Sequence, residues 1–308
     1  MISIVIVNWN SGPLLEKCIR SLIQNAAGCE IIIVDNASTD SSLCFSDRID
    51  SDLSILRNDR NIGFAAGNNL GWHSSKGDPV LFLNPDTECY PDSIKLLERT
   101  FTIDRMVCAA AGRLVDPSGK TQVKFNVRAF PGIGTVAAEM FFIDEIWPFK
   151  RWFLKHCTPD SEVAVDVEQP AAACFMITKR ALESVGGFDE KFYPAWFEDV
   201  DLCRRILKQG GRILYQPRAR FLHHGGCSLG TLSRQDFLEF FHTNQIRYFK
   251  KHHSRKTAGR VRRLIVLGLY LRSVLSLAYP LAPGASRAAA VKTFWKAARQ
   301  IPSTGEIR

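Results

Sequence analysis

Two acidic side chains that follow predicted strands are candidates for ligand or metal binding. Asp35 follows the apolar run IIIV, and Asp86 follows VLFLNP. In open parallel sheets, ligands bind beyond the carboxyl ends of the strands. Carboxylates at two such ends predict a nucleotide site in which Asp86 holds Mg²⁺ or Mn²⁺ against a diphosphate. Each aspartate alone is equally typical of a helix cap or a turn.

A glycine-containing segment, NIGFAAGNN at 61–69, lies between these two aspartates. Its glycines would let the backbone approach a ligand closely. The segment does not have the spacing GxGxxG, and the sequence contains no GxxxxGK[ST]. The fingerprints of dinucleotide-binding and P-loop proteins are therefore absent.

Three carboxylates stand within four residues, at Glu198, Asp199 and Asp201, directly after Trp196 and Phe197. Like charges this close repel one another, which raises the pKa of at least one carboxyl. Helix capping can employ some of them but not easily all three. An exposed acid with a raised pKa, beside rings that stack on a sugar, suits a general base for a hydroxyl nucleophile.

Two adjacent histidines, His223 and His224, open a glycine-rich loop about two dozen residues later. A histidine pair on its own is usually structural or solvated. Its position after a strand and after the acidic cluster predicts a metal ligand beside Asp86.

An α/β fold must position these side chains. Short runs rich in β-branched residues predict buried strands at 2–7, 31–34, 53–56 and 80–83. Helical periodicity lies between several of them, and this alternation predicts a mostly parallel sheet of right-handed βαβ units. Nine cysteines without a CxxC pair, and a start without a secretory signal, lead us to expect a cytoplasmic protein.

The net charge of +9 is concentrated at the C-terminal end. Residues 247–308 contain 14 Lys and Arg and one acidic residue, whereas the preceding 246 residues are slightly acidic. Such asymmetry predicts an anionic partner for the tail. No known nucleic-acid module accompanies the basic residues, so we do not expect nucleic acid as a partner.

The tail also has the spacing of an amphipathic helix. One face would carry Val291, Phe294, Trp295 and Ala298, with basic residues on the neighbouring face. This pattern suits the headgroup region of an anionic membrane, and equally a helix that packs into a core and exposes its basic face. A spanning helix is not expected, because Arg272 interrupts the apolar run that begins at 264.

Seven segments together resemble the inverting GT-A glycosyltransferases of family 2, in particular the bacterial rhamnosyltransferase-like enzymes that build O-antigen and other cell-surface polysaccharides. In chain order they are SIVIVNWN (3–10), IIIVDNASTD (31–40), NIGFAAGNN (61–69), FLNPDT (82–87), GGFDEKFY (186–193), FEDVDLCRRI (197–206) and HHGGCS (223–228). The resemblance implies a Rossmann-like, mostly parallel sheet flanked by helices, with a basic helical tail. It also implies a nucleotide-sugar-binding half at 1–105, an acceptor-binding and catalytic half at 106–246, and the tail at 247–308.

The resemblance assigns roles to individual residues. Asp199 would be the catalytic base, while Asp86 and His223 would hold Mg²⁺ or Mn²⁺, with His224 as the alternative ligand. Nucleotide binding is implied for Asn8, Asn10, Asp35, Ser38, Asn68 and Asn84. Acceptor binding is implied for Trp196, Glu198 and Asp201. Asn84 stands where the family's DxD motif has its first carboxylate, so only a hydrogen-bonding role is implied for it.

The implied reaction moves rhamnose from dTDP-rhamnose to a hydroxyl of a lipid-linked saccharide, at the inner face of the plasma membrane. The membrane contact would use residues 258–300. The alternatives are a UDP-hexose or UDP-galactofuranose donor, or a non-catalytic sugar-binding relative. A nucleotidyltransferase is disfavoured, because NWNSGP stands where its Gly- and Arg-rich phosphate loop would follow the first strand.

Overall fold

The computed structural model describes residues 1–45, 53–146, 161–225, 232–278 and 286–307. The strands are β1 (Ser3–Asn8), β2 (Glu30–Asp35), β3 (Leu53–Arg57), β4 (Val80–Leu83), β5 (Thr87–Cys89), β6 (Val107–Val115), β7 (Val127–Arg128), β8 (Val165–Asp166), β9 (Gln169–Pro170), β10 (Cys174–Ile177) and β11 (Arg212–His223). The helices are α1 (Pro13–Asn25), α2 (Phe64–Ser74), α3 (Ser93–Thr100), α4 (Val123–Asn126), α5 (Ile133–Met140), α6 (Lys179–Val185), α7 (Glu198–Lys208), α8 (Arg234–His252), α9 (Arg255–Leu275) and α10 (Arg287–Gln300).

A mixed, mostly parallel sheet organises the first part of the fold. Its strand order is β3-β2-β1-β4-β10-β6-β11-β5, with β8 added beside β11. β3, β2, β1 and β4 pair in parallel, as do β6 and β11, whereas β10 runs antiparallel to both its neighbours. The α/β fold with a mostly parallel sheet is therefore confirmed.

The central strands are continuous apolar runs because both faces of the sheet are covered. Every residue of β1 is buried, and the two faces contribute to two separate apolar clusters. Helix α1 begins at Pro13, where a proline ring already has helical φ, and it buries Leu15, Ile19 and Leu22. The parallel register pairs Asn8 with Asp35, so both side chains come to the same edge of the sheet.

Gly67, one of the two glycines predicted to let the backbone approach a ligand, serves packing together with Gly71 of the same helix, while the role of Gly63 stays a prediction. A Cβ on Gly67 would come within 2.9 Å of Val7 Cγ1, and one on Gly71 within 2.2 Å of Val5 Cγ1. Both glycines thus let α2 lie directly on β1. Gly63, with φ of 87°, precedes the first residue of the helix.

The chain forms two compact units. The first comprises Met1–Phe130, Leu154–Glu190 and Glu198–Thr231, and the second comprises Pro131–Phe153, Lys191–Phe197 and Leu232–Arg308. These divisions differ from the predicted boundaries at 105/106 and 246/247. β6 begins just after 105 yet lies in the same sheet as β1, and 246/247 lies inside α8.

The second unit is helical and has a core of its own. α9 contributes Val261, Ile265 and Leu269 to the buried set, and Gly268 lies against Met140 of α5. α10 buries Phe294 and Ala298, as the core-packing alternative predicts, and also Ala297, while Trp295 of the predicted face is 51% exposed. Among the described residues, the helices include none that is both long and apolar enough to cross a membrane.

Candidate active site

Asn8 and Asp35 form the centre of a buried polar cluster at the carboxyl ends of β1 and β2. Asn8 Nδ2 lies 2.8 Å from Asp35 Oδ1, 3.0 Å from Ser38 Oγ and 2.9 Å from Ser42 Oγ. Asn8 Oδ1 is buried and has no hydrogen-bond partner within the part of the chain that the structure describes. A buried acceptor without a donor carries a desolvation cost, which a ligand N–H would remove.

The loop after β2 is held against the loop after β1. Ser38 N donates to Asp35 Oδ2 at 3.3 Å, and Asn10 N donates to Ser38 Oγ at 3.0 Å. Thr39 N donates to Asn10 Oδ1 at 2.7 Å. The structure therefore brings Asn8, Asn10, Asp35 and Ser38 together, and it adds Ser42, which the sequence analysis missed.

Asn68 lies in the body of α2 and is 1% exposed. Its Nδ2 donates to Phe64 O at 3.0 Å, a contact within the helix. The neighbouring Asn69 joins α2 to the GGFDE segment, since its amide contacts Phe188 N, Phe188 O and Glu190 Oε1. The role of Asn68 near a nucleotide stays a prediction.

A tight turn after β4 presents Asp86. Asn84 O accepts from Thr87 N at 3.2 Å, and Asn84 N donates to Ala173 O at 3.0 Å, which ties the turn to the chain just before β10. β5 pairs antiparallel with β11, with Thr87 opposite His223. This register brings His223 Nε2 within 3.5 Å of Asp86 Oδ1, and both side chains are about 95% buried.

Gln122 fixes the orientation of the His223 ring. Gln122 Nε2 donates to His223 O at 2.8 Å, so its Oε1 faces His223 Nδ1, also at 2.8 Å. Nδ1 therefore carries the proton, and the lone pair of Nε2 faces Asp86. Burial lowers the pKa of His223 and thereby favours the neutral ring, although the charge of Asp86 opposes this shift. Phe125 stacks on the ring, with centroids 4.9 Å apart.

This pair fits a divalent cation. A neutral Nε2 and a carboxylate oxygen face each other across a gap, and the other ring nitrogen has the hydrogen-bonded support typical of metal-binding histidines. In the described ranges, no group of three or more His, Cys, Asp or Glu side chains is arranged as a metal site. Two protein ligands leave positions for water and substrate phosphate, as Mg²⁺ sites commonly do.

His224 is held elsewhere. Its Nε2 lies 2.7 Å from Glu88 Oε1, and its backbone N donates to Asp86 O at 3.0 Å. The geometry therefore favours His223 over His224 as the ligand. Positions 226–228 of the predicted HHGGCS loop lie outside the described residues.

The acidic cluster opens α7, and its carboxylates are buried rather than exposed, which corrects the sequence prediction. Glu198, Asp199 and Asp201 are 5%, 8% and 0% exposed. Burial, reinforced by the charge of Asp199, raises the pKa of Glu198 well above its usual range. Burial also raises the pKa of Asp199, while the nearby charge of Arg128 opposes that rise. The predicted pKa rise within the cluster is present, but its main cause is burial.

Arg128 is a residue of this site that the sequence analysis missed. It lies on β7, which pairs with β9, and its Nε is buried with no partner among the described residues. Asp199 Oδ1 accepts from Val200 N at 2.8 Å, at the first turn of α7, where the helix dipole favours negative charge. The charge of Arg128 lowers the pKa of both Glu198 and Asp199, but Glu198 Oε2 is buried without a hydrogen bond in the same described part.

Asp201 forms an ion pair inside the first unit. Its Oδ2 accepts from Arg205 Nε at 2.7 Å, and Arg205 also donates to Val185 O at 2.7 Å. The pair thereby ties α7 to the end of α6. A fully buried carboxylate engaged in this way does not favour acceptor binding.

Asp201→Asn is expected to lower the free energy of unfolding by about 3 kcal/mol, because it leaves the mostly buried Arg205 guanidinium without its counter-charge. Urea denaturation at pH 7 measures this. The exposed pair of Glu16 and Arg20 has the same four-residue spacing, so Glu16→Gln is a matched control that should change the value by under about 0.5 kcal/mol. Equal effects of the two substitutions would refute the structural role.

Trp196 belongs to the second unit. Its ring packs edge-on against Phe237, with centroids 5.0 Å apart, and against Phe241 at 6.4 Å. Trp196 and Phe197 both have positive φ, 74° and 72°, a conformation that bulky residues rarely adopt. Its predicted contact with the acceptor stays a prediction.

Comparison with known proteins identifies the family of the chain. A model described as "Glycosyl transferase family 2" matches residues 3–165. The chain is 29% identical, over 250 residues, to the N-acetylglucosaminyl-diphospho-decaprenol L-rhamnosyltransferase of Mycobacterium tuberculosis strain H37Rv, covering 75% of this chain and 78% of that protein. It is 26% identical to the O-antigen biosynthesis protein RfbC of Myxococcus xanthus over 74% of this chain and 17% of that protein.

Solved structures establish the fold. GalNAc-T7 with UDP, GalNAc and Mn²⁺ has a TM-score of 0.60 at 16% identity, covering 95% of this chain and about half (53%) of that one. Mannosyltransferase PcManGT of Pyrobaculum calidifontis, in complex with GDP-Man and Mn²⁺, has a TM-score of 0.56 at 12% identity, covering 99% and 85%. The GT-A fold and the predicted resemblance are confirmed. The chain belongs to glycosyl transferase family 2 and is a glycosyltransferase.

Proposed function

We propose that the protein is a metal-dependent, inverting glycosyltransferase that moves rhamnose from dTDP-rhamnose to a lipid-diphosphate-linked saccharide in cell-surface polysaccharide synthesis. The observation that carries the proposal is the facing pair of Asp86 Oδ1 and His223 Nε2 at the sheet edge. The same edge holds the buried Asn8–Asp35 cluster. The Asp86–His223 pair would bind the diphosphate of a nucleotide, and the Asn8–Asp35 cluster would bind its base.

The Asn8–Asp35 cluster favours a base with a ring N–H donor, such as thymine or uracil. Asn8 Oδ1 lacks a donor among the described residues, and Asp35 supplies further acceptor oxygens. Thymine and uracil both present an N3–H donor that suits such acceptors. The dTDP donor is proposed over a UDP-sugar because the Mycobacterium tuberculosis relative is named as an L-rhamnosyltransferase.

The cation would be held by Asp86 and His223 and, when bound, would supply positive charge against the diphosphate. The imidazole nitrogen favours Mn²⁺, because Mg²⁺ takes oxygen ligands. Gln122 keeps the proton on Nδ1, so that the ligating nitrogen is available.

Asp199 would act as the general base. Its carboxylate takes the proton of the acceptor hydroxyl as the hydroxyl oxygen bonds to the anomeric carbon and the bond from that carbon to the diphosphate oxygen breaks. Attack from the face opposite the leaving group inverts the anomeric configuration. Asp201 is left out of the acceptor site because of its ion pair, while Glu198 and Trp196 remain in the proposal.

A calorimetric screen of dTDP, UDP and GDP, with Mn²⁺ and with chelator, tests this function. Binding of dTDP that is lost with chelator is the expected result. Stronger binding of UDP would replace the proposed donor, and no metal-dependent binding to any of the three would favour a non-catalytic relative.

The proposal includes docking at an anionic membrane surface, and an exposed stripe on α9 supports it. Leu267 and Val274 of α9 are 57% and 64% exposed, with the spacing of one helix face, and Leu277, just beyond the helix end at Leu275, is 60% exposed. The same face continues towards the start of α9 with exposed Arg260 and Arg263. Apolar residues beside basic ones are typical of helices that lie in the headgroup region.

Trp295 of α10 joins this stripe. Its ring packs edge-on against Tyr270 of α9, with centroids 4.9 Å apart, and the side chain is half exposed. Lys292 and Lys296 are exposed on the same helix. The apolar contact would thus be formed by α9 and Trp295, whereas Phe294 and Ala298 of the face predicted from the sequence are buried in the core of the unit.

The double substitution Val274→Glu and Trp295→Glu is expected to weaken binding to phosphatidylglycerol-containing vesicles more than about tenfold, because it removes two inserting side chains and adds like charge. Vesicle cosedimentation measures this. Ile103→Glu, at a 58% exposed apolar side chain of the first unit, is the matched control. Deleting the tail is unsuitable, because α9 and α10 supply core residues. Unchanged sedimentation of the double variant would refute the membrane surface.

A further inference from the structure

A pocket of about 420 Å³ opens beside the carboxyl-terminal parts of β6 and β11. Arg113, Arg218 and Arg220 line it, together with Glu162 and the turn at Gly119. All of these residues belong to the first unit. Three guanidinium groups against one carboxylate leave the pocket with an excess of positive charge.

The strand register places two of these arginines against each other. β11 has an irregularity between Gln216 and Arg220, after which Arg220 pairs with Arg113 of β6. Like charges opposite each other on neighbouring strands are destabilising. Glu162, at 3.3 Å from Arg113, offers partial compensation, but its own side chain is 81% exposed. An anion between the two strands would relieve this repulsion.

Contacts within the first unit orient two of the three arginines, Arg113 and Arg220. The Arg220 guanidinium lies over the Tyr90 ring, 5.1 Å from its centroid, and Arg113 donates to Ser161 O at 3.2 Å. Arg218 is exposed, and neither Arg218 nor Arg220 forms an ion pair with the described residues. Guanidinium groups bind phosphate oxygens in a bidentate manner, so the natural ligand class is a phosphate or diphosphate.

The pocket is close to the metal pair but separate from it. Arg220 precedes His223 by three residues on one strand, which spans about 10 Å. The hydroxyl of Tyr215 interacts with Arg113 and accepts from Asn126 Nδ2 at 3.1 Å. Asn126 ends α4, whose Phe125 stacks on His223. The pocket and the predicted donor site thus share β11 and are connected through α4.

We propose that this pocket binds a second diphosphate, that of the lipid-linked acceptor, while Asp86 and His223 serve the diphosphate of the donor. The identity of the ligand rests on the proposed function; the diphosphate site itself does not. The acceptor would be anchored at its charged link, with the saccharide extending towards the reacting centre.

Titration of inorganic pyrophosphate into the full chain in the presence of chelator tests the site. Without a divalent cation, the donor site contributes little to diphosphate binding. Arg218→Gln combined with Arg220→Gln is expected to weaken pyrophosphate binding about tenfold or more, since two charge-assisted contacts are lost. Glu162→Gln should strengthen binding, because it removes the competing carboxylate.

Lys95→Gln combined with Arg99→Gln is the matched control, because it removes two exposed positive charges from α3 of the same unit. If the control weakens pyrophosphate binding as much as the arginine substitutions do, the binding reflects only the net charge of the protein, and the proposal is overturned. The proposal is also overturned if the arginine variant and the unaltered chain bind pyrophosphate with the same affinity.

A second arm identifies the source of the diphosphate. The arginine pair variant should raise KM for a short-chain lipid-diphosphate N-acetylglucosamine acceptor about tenfold, and leave KM for the matching alkyl glycoside and for the donor unchanged. If KM rises equally for both acceptors, the acceptor assignment is wrong. Absence of transfer with any acceptor would count against the proposed function, while pyrophosphate binding would still decide whether the anion site exists.

Discussion

Asp199→Asn is expected to reduce the rate of sugar transfer about a thousandfold while the affinity for the donor nucleotide stays within about twofold. The amide has the shape of the carboxylate but cannot take the proton of the acceptor hydroxyl, and general-base catalysis contributes on this order. Single-turnover transfer and nucleotide calorimetry on the same preparation measure both quantities. A loss of nucleotide binding equal to the loss of rate would instead indicate a role in the donor site.

Because Asp199 is buried, we expect the rate of sugar transfer to rise with pH. Because burial raises its pKa, the carboxyl is protonated and inactive as a base at low pH, and the rate rises as pH increases through that raised pKa. Arg128→Gln removes the charge that opposes the rise, so the rising limb should move to higher pH. Glu16→Gln, at an exposed pair away from α7, should leave the profile where it is.

His223→Ala and Asp86→Ala are each expected to weaken Mn²⁺-dependent nucleotide binding about a hundredfold, because each removes one of two protein ligands to the cation. Loss of a supporting group alone typically costs ten- to a hundredfold, and a direct ligand belongs at the upper end. Calorimetry with Mn²⁺ and with chelator separates the metal-dependent part of the affinity from the rest.

His224→Ala is the matched control for this prediction. His224 is the next residue along the chain, but its ring contacts Glu88. The metal-dependent affinity should therefore survive in this variant. If His224→Ala abolishes the metal dependence of nucleotide binding and His223→Ala keeps it, His224 is the ligand and the assignment to His223 is wrong. Gln122→Ala should have a smaller effect, since it changes the orientation of the His223 ring rather than the ligand itself.

The sequence was sufficient to predict the residues at the ends of buried strands. Strand periodicity located β1, β2 and β4, and the parallel arrangement that follows from alternating helices brings Asn8 and Asp35 to one edge. The same rule does not locate Gln122, Phe125 or Arg128. Their segment has no clear periodicity, and they reach the site through a short helix and a two-residue strand.

The sequence also does not determine which apolar side chains of a helix face the core. The spacing at Phe294 and Trp295 allows either residue to face a core, because two adjacent helical positions differ by about 100° in direction. The packing partner decides, and α9 and α10 bury Phe294 while leaving Trp295 half exposed. Similarly, the sequence alone indicates a surface position for the acidic cluster. The residues that make its burial possible are Arg128, which strand pairing brings to the site, and Arg205, which the geometry of α7 places beside Asp201.

The most direct test of the central claim is a transfer assay with the full chain, Mn²⁺, dTDP-rhamnose and a short-chain lipid-diphosphate N-acetylglucosamine, followed by mass spectrometry and NMR of the product. We expect an acceptor extended by one deoxyhexose, with inverted anomeric configuration, and about a thousandfold slower product formation with Asp199→Asn. A product with retained configuration, or full turnover by Asp199→Asn, would contradict it.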